Sequence, residues 1–222
     1  MTLKVLAWIS THRGRRQLTE IETIEPAVVM MGVPPFFHNF ATLVTVEDQL
    51  HDWPQAHLGL MKVIGRSFRA AHYARDWALL RRDLDTEVVI IAALLHDFAE
   101  LLLWSFAPAL ALRIRDVKRA GVGVRTRTAE RQVLGITLDE LELALMRAWQ
   151  LPELLQTISD NSHPDHPQVR NVIFAVNLAR HSANGWDDPA LPDDYRDIAS
   201  LLHITPGQVQ TRVMPQEPDP LP

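Results

Sequence analysis

Cysteine is absent from the 222 residues, and lysine occurs three times against 19 arginines. Without a thiol there is no disulfide scaffold, no cysteine-ligated zinc and no thiol nucleophile, a usage that fits a reducing compartment. Glycine-rich loops, hairpin signals and alternating strand patterns are missing as well. Long apolar runs are also missing. The longest, Val88 to Leu95, has eight residues before His96 and Asp97 interrupt it, against the ~20 a spanning helix needs. The apolar stretch in Met1 to Ser10 is too short for a signal-peptide core, and its arginine cluster follows rather than precedes it. A cytoplasmic location without a membrane segment is the expectation. Net charge is −5 and the pI is near 6.0, so the whole molecule is not built to coat nucleic acid.

What is present is helical patterning in a chain with 47% apolar and 22% charged residues, the mix of a globular protein with a core. Between Gln55 and about Asp83 there is no proline. Leu60, Ile64, Phe68, Ala71, Ala74 and Ala78 recur every three or four residues, which predicts a long helix with one apolar stripe. Thr86 reads as the N-cap of a helix from Glu87 to about Trp104 that is apolar on nearly every face and therefore central. Pro108 opens the next helix, to Gly121. Thr137-Leu138-Asp139-Glu140 is a capping box before Leu141, Leu143, Ala144, Leu145 and Trp149. Pro152 suits the first turn of a short helix, and Val169 to about Ala183 forms another. Asp160 to Pro167 is a loop by its Pro and Asn/Asp content. Thr205-Pro206-Gly207-Gln208 combines a cap, a proline at the first helical position and a glutamine three residues on. Lys4 to Ser10 is the one strand candidate, and residues 215–222, rich in proline, read as a disordered tail. The chain is expected to be all-α, without internal repeats.

The segment Ala92 to Glu100 carries the chemistry. His96 and Asp97, adjacent in a buried helix, are costly unless paired or coordinated. One reading is a ligand pair for Mg²⁺ or Mn²⁺, activating water for attack on a phosphate. The other is a buried hydrogen-bonded pair that fixes helix packing. Basic residues cluster at Arg113, Arg115, Lys118, Arg119, Arg125, Arg127 and Arg131, which suits a phosphate-bearing ligand or an acidic partner, or else a solvated helix face. His12 to Arg16 is a similar, smaller cluster, and neither has the aromatics of a single-strand nucleic-acid groove. His163 and His166 flank Pro164-Asp165 with a spacing that superficially suits a metal. His38, His51, His57, His181 and His203 show no convergent partner in sequence. Phe36, Phe37 and Phe40 follow Pro34-Pro35 in an expected surface connection and suggest a contact site or packing of an N-terminal unit.

The apolar run ending in Leu94-Leu95-His96-Asp97 resembles the centre of the HD superfamily of metal-dependent phosphohydrolases, and its surroundings resemble one branch, the HDOD (His–Asp related output) domain of bacterial signalling proteins. Arg66 to Arg75 is similar to that family's helix before the His-Asp segment. Ala148-Trp149-Gln150-Leu151-Pro152-Glu153 resembles its Trp-x-Leu-Pro step, Val172 to Ala179 its late helix, and Ile24 to Gly32 its Ala-Val-x-x-Leu-Gly segment, with Met31 in place of Leu. The resemblance implies an HD-like helical bundle at 51–214 with a small, truncated N-terminal helical subdomain at 1–50, since only 23 residues precede Ile24. A shortened unit implies exposed apolar surface and a homodimer.

The same resemblance argues against hydrolysis. An HD hydrolase needs an earlier histidine, the His-Asp pair and a distant aspartate. Aligned on Ser67, the first position holds Arg66, a guanidinium that cannot ligate a metal. His72, nearly two turns on, is a poor substitute, and no histidine lies between Asp97 and His163. The distant position falls on Asn177, which offers a carbonyl oxygen without charge. The expectation is a non-catalytic signalling module with a vestigial pair, no cofactor and protein partners, neither membrane nor nucleic acid. The alternative is a Mg²⁺- or Mn²⁺-dependent phosphohydrolase acting on nucleotides or cyclic dinucleotides.

Overall fold

The computed structural model describes residues 2–11, 23–121, 125–160 and 165–214, with backbone alone for 9–11. His12 to Arg16, His163 and the tail 215–222 lie outside the described residues. In chain order the helices are α1 (Thr2–Thr11), α2 (Ile24–Met31), α3 (Val33–Phe40), α4 (Val46–Gln49), α5 (Pro54–Arg81), α6 (Thr86–Leu95) and α7 (Phe98–Phe106). They continue as α8 (Pro108–Ala120), α9 (Thr126–Leu134), α10 (Leu138–Ala148), α11 (Glu153–Ser159), α12 (Pro167–His181), α13 (Leu191–Leu202) and α14 (Pro206–Val213), with a 3₁₀ turn at Ser182–Asn184. Every regular element among the described residues is helical, as the patterning predicts.

Two compact units divide the chain. One takes residues 1–65 and 97–160, the other 66–96 and 161–222. Within the first, Leu50, Ala56, Leu60 and Val63 pack with Leu103, Trp104, Ala111, Ile114 and Ala129. A smaller cluster joins Val5 to Ala27 and Met31, with Phe36 and Phe40 packed against it. Within the second, α12 packs against α6 and α13, and α13 against α14. Asn171, fully buried on α12, donates its amide to the Ala74 carbonyl of α5 at 3.1 Å.

Local rules account for most helix ends. Thr137 and Thr205 each close a capping box, with Glu140 and Gln208 returning a bond to the cap. Arg82, Gln150 and His203 adopt left-handed backbone, and each follows the end of a helix, where that conformation lets the next N–H groups reach back to the last turn.

Several expectations are corrected. Lys4 to Ser10 is not a strand but part of α1: the neighbours Val5 and Leu6 are both buried, which a strand's alternation cannot achieve on one face. Residues 33–40 are not a connection but helix α3, opened by prolines in its first turn, where a missing N–H costs nothing. On α5 the buried stripe runs through Ala56, Leu60, Val63, Ser67, Ala70 and Ala74, while Phe68 faces solvent. Asp85, not Thr86, is the N-cap of α6, and the Thr86 hydroxyl donates to the Asp83 carbonyl at 2.9 Å.

The expected helix Glu87–Trp104 is two helices. His96 keeps helical backbone, but Asp97 turns out of it (φ −105°, ψ 26°), and its carbonyl receives Leu101 N–H to begin α7. Short acidic side chains tolerate such breaks well. The stretch Thr86–Phe106, contrary to the expectation of no candidate span, is long and apolar enough to cross a membrane by length and composition. More than half of it is buried inside the protein, as for a core helix.

Candidate functional site

The division between units falls between His96 and Asp97, so the imidazole belongs with the second unit and the carboxylate with the first. Both side chains are half-buried and both are engaged in interactions. Arg66, engaged and half-buried at the start of the second unit's share of α5, and Asn177, half-buried on α12, lie in the same unit as His96. No group of three or more His, Asp or Glu among the described residues is placed to share a metal ion.

On the carboxylate side, α7 begins at Asp97, whose side chain makes no cap bond to the helix. A different acid supplies one. Glu142 of α10, only 6% exposed, accepts the Ala99 N–H in the first turn of α7. Burial pushes the Glu142 carboxyl well up from its usual range, and the negative charge of Asp97 adds to that. An uncharged carboxyl tolerates this site far better than a carboxylate would. The same helices meet again at Phe98 and Trp149, whose rings lie 5.9 Å apart. Gln150 then takes its left-handed turn, and Leu151 and Pro152 are buried, so the Trp-x-Leu-Pro step is a helix stop that anchors its own aromatic on the first residue of α7. Glu142 was missed in the sequence. The signal was there: Leu138, Glu142, Met146 and Trp149 share one face of α10, and Glu142 and Met146 are its buried members, while Ala144 is exposed.

A second buried acid works the same way. Glu130 of α9, 5% exposed, accepts the Leu138 N–H at 3.1 Å and so helps to cap α10. Burial raises its carboxyl, against the pull of that N–H.

The arginine cluster is partly neutralised within its own unit. Arg115 bonds Gln55 and Asp116, Arg127 pairs with Asp139 at 2.7 Å, Arg131 pairs with Glu140 at 2.8 Å, and Lys118 faces Glu130. Arg113, Arg119 and Arg125 are exposed.

One histidine without a visible sequence partner has a close one in space. His181 Nδ1 lies 2.6 Å from Asp194 Oδ2, the imidazole 30% and the carboxylate 8% accessible. Burial pushes the Asp194 carboxyl up, and His181 pulls it back. Beside this pair the Tyr73 hydroxyl bonds Ser182, whose own hydroxyl donates to the Leu178 carbonyl at 2.7 Å. Elsewhere His72 pairs with Asp76 at 3.3 Å on the surface, and His57 Nε2 is buried without a hydrogen-bond partner.

The comparisons with known proteins agree on the architecture. The family model for the HDOD domain matches residues 5–164. Among solved structures, the MmoQ response regulator of Methylococcus capsulatus superposes with a TM-score of 0.64 at 20% identity, over 90% of this chain and 82% of its own. An HDOD domain protein of unknown function from Geobacter sulfurreducens gives 0.56 at 17%, over 96% and 76%. A proposed phosphohydrolase from Shewanella amazonensis gives 0.54 at 17%, over 95% and 88%. No curated protein matches. At these identities the solved structures establish the shared fold.

Proposed function

The chain belongs to the HDOD family, and from that premise we propose that it is a non-catalytic signalling module, working through protein contacts in the cytoplasm. The observation that carries this reading is the donor set. His96 and Asp97 bring one imidazole and one carboxylate, while the aligned ligand positions hold Arg66 and Asn177. A hard cation such as Mg²⁺ takes about six oxygen-rich ligands, and a guanidinium has no lone pair to offer one. No further His, Asp or Glu group among the described residues makes up the deficit. The residues therefore do not fit the metal centre of an HD hydrolase. The response regulator with the same fold supports a signalling role.

Freshly purified full-length protein should carry well under one Mn, Fe or Mg per chain by elemental analysis. It should also turn over neither nucleotides nor cyclic dinucleotides with added Mn²⁺. A stoichiometric tight metal, or Mn²⁺-dependent turnover abolished by Asp97→Ala, would establish instead the phosphohydrolase reading that the third structural neighbour suggests.

Self-association is part of the proposal. Val29, Val33 and Phe37 on α2 and α3 are 77%, 60% and 65% exposed, an apolar surface that a second copy would cover. Light scattering at micromolar concentration should give a dimer, and Phe37→Asp should shift it to monomer. A monomeric wild type removes this part of the reading.

A further inference from the structure

The pairing of His181 with Asp194 has the geometry of an activated imidazole rather than of a solvated surface histidine. A carboxylate can only accept, so in the neutral ring the 2.6 Å contact places the proton on Nδ1 and leaves the lone pair on Nε2. Asp194 is nine-tenths buried and fixes the ring, while the ring itself keeps 30% of its surface open. Nε2 bonds to nothing among the described residues and is not a buried orphan. His181 is thus a histidine whose Nδ1 is held by a buried carboxylate. His72 meets an exposed aspartate, and His51, His166 and His203 lie exposed. An oriented carboxylate partner fixes the tautomer and aims the opposite nitrogen outward as a nucleophile.

We propose that His181 is a phosphoryl-acceptor site, its Nε2 taking a phosphoryl group from an acyl-phosphate or phosphoramidate donor. The lone pair of Nε2 attacks phosphorus, the Nε2–P bond forms, and the bond to the donor breaks, the electron pair leaving with a carboxylate from an acyl phosphate or with a neutral amine from an N-protonated phosphoramidate. The ring becomes cationic as it attacks, and its Nδ1 proton moves toward Asp194, which stabilises that charge. The C-terminus of α12, where His181 is the last residue, also favours a cationic ring. The same dipole opposes an incoming phosphoryl dianion, and Arg69, bonded to the Ala179 carbonyl at 3.4 Å, places a positive charge at that helix end. Asp188, Asp197 and Tyr195 lie near Asp194, and Tyr73 lies near Tyr195. This site is separate from His96 and Asp97, so the proposal stands or falls independently of the metal question.

The test is to incubate the full-length chain with potassium phosphoramidate near neutral pH and map the histidine labels by peptide mass spectrometry over time. His181 should label about tenfold faster than His51, His72, His166 and His203, with phosphorus on Nε2 by ³¹P NMR. Asp194→Asn should bring its rate down to that of the others while circular dichroism shows the helices intact. Labelling of His181 at or below the rate of the exposed histidines in the wild-type protein overturns the proposal, whether or not the Asp194 variant folds. An undiminished rate in a folded Asp194→Asn protein overturns it as well.

Discussion

Glu142→Ala should lower the unfolding free energy by about 2–4 kcal/mol at mildly acid pH, and Glu142→Gln should not. Truncation leaves the Ala99 N–H buried without an acceptor, worth about 1–3 kcal/mol, and opens a cavity against α7. Glutamine keeps a carbonyl oxygen for that N–H and removes the ionisable group. The two variants separate further with pH. The folded carboxyl is raised above its unfolded value, so the native state holds a proton that the unfolded state has released. The Glu142 contribution is therefore fully present below about pH 4.5 and declines as pH rises toward the folded value. Wild type and Glu142→Gln should match near pH 4.5, with the glutamine variant gaining as pH rises above it, in thermal or urea denaturation scanned from about pH 4.5 to about pH 8.5. Glu130 and Asp194, also raised, are common to both proteins and cancel in the difference. A wild type–glutamine difference that stays constant across this range would show that Glu142 is not held protonated by the fold.

That prediction also marks where the sequence stops being legible. Capping boxes at Thr137 and Thr205 are local chemistry, and both form as read. The long α5 follows from periodicity, though Phe68 lies off its buried stripe, because several apolar residues on neighbouring faces fit a three-to-four spacing and only packing chooses among them. The order of family-like segments identifies the fold across chains sharing only 17–20% of their residues. The break at Asp97 was illegible because the segments on either side are apolar on nearly every face, and a helix that is hydrophobic almost all round gives little phase from which to detect a change of direction. Glu142 and Asp194 were missed for a related reason. Each lies one or two residues from another acid, Glu140 and Asp193, which faces solvent, so the pair reads as a charged surface turn. Spacing to Met146 puts Glu142 on the inward face, but what each acid meets there, α7 or His181, is tertiary information. The His96–Asp97 pair shows the opposite case: the sequence marks it clearly, while its chemical capacity depends on ligands supplied from distant segments.

Gly59→Ala should destabilise the protein by about 1–3 kcal/mol, although the same change usually stabilises a helix. Gly59 lies within α5, and a Cβ there would come within 2.7 Å of Trp104 Cη2 and 2.8 Å of two further ring carbons. The ring cannot easily retreat, since Trp104 is 7% exposed in the core of its unit and its Nε1 donates to Glu100 Oε1 at 3.2 Å. Gly65, two turns along the same helix, has nothing within 4 Å of its virtual Cβ. Gly65→Ala should therefore stabilise by roughly 0.5–1 kcal/mol through helix propensity alone. The pair of substitutions, identical in chemistry and opposite in expected sign, isolates the packing contact from the backbone effect. Combining Gly59→Ala with Trp104→Phe should cost less than the sum of the two single changes, because the smaller ring vacates the space the methyl needs. If both glycine variants stabilise alike in urea unfolding, Trp104 does not press on α5, and the register of α7 against α5 is different from the one described.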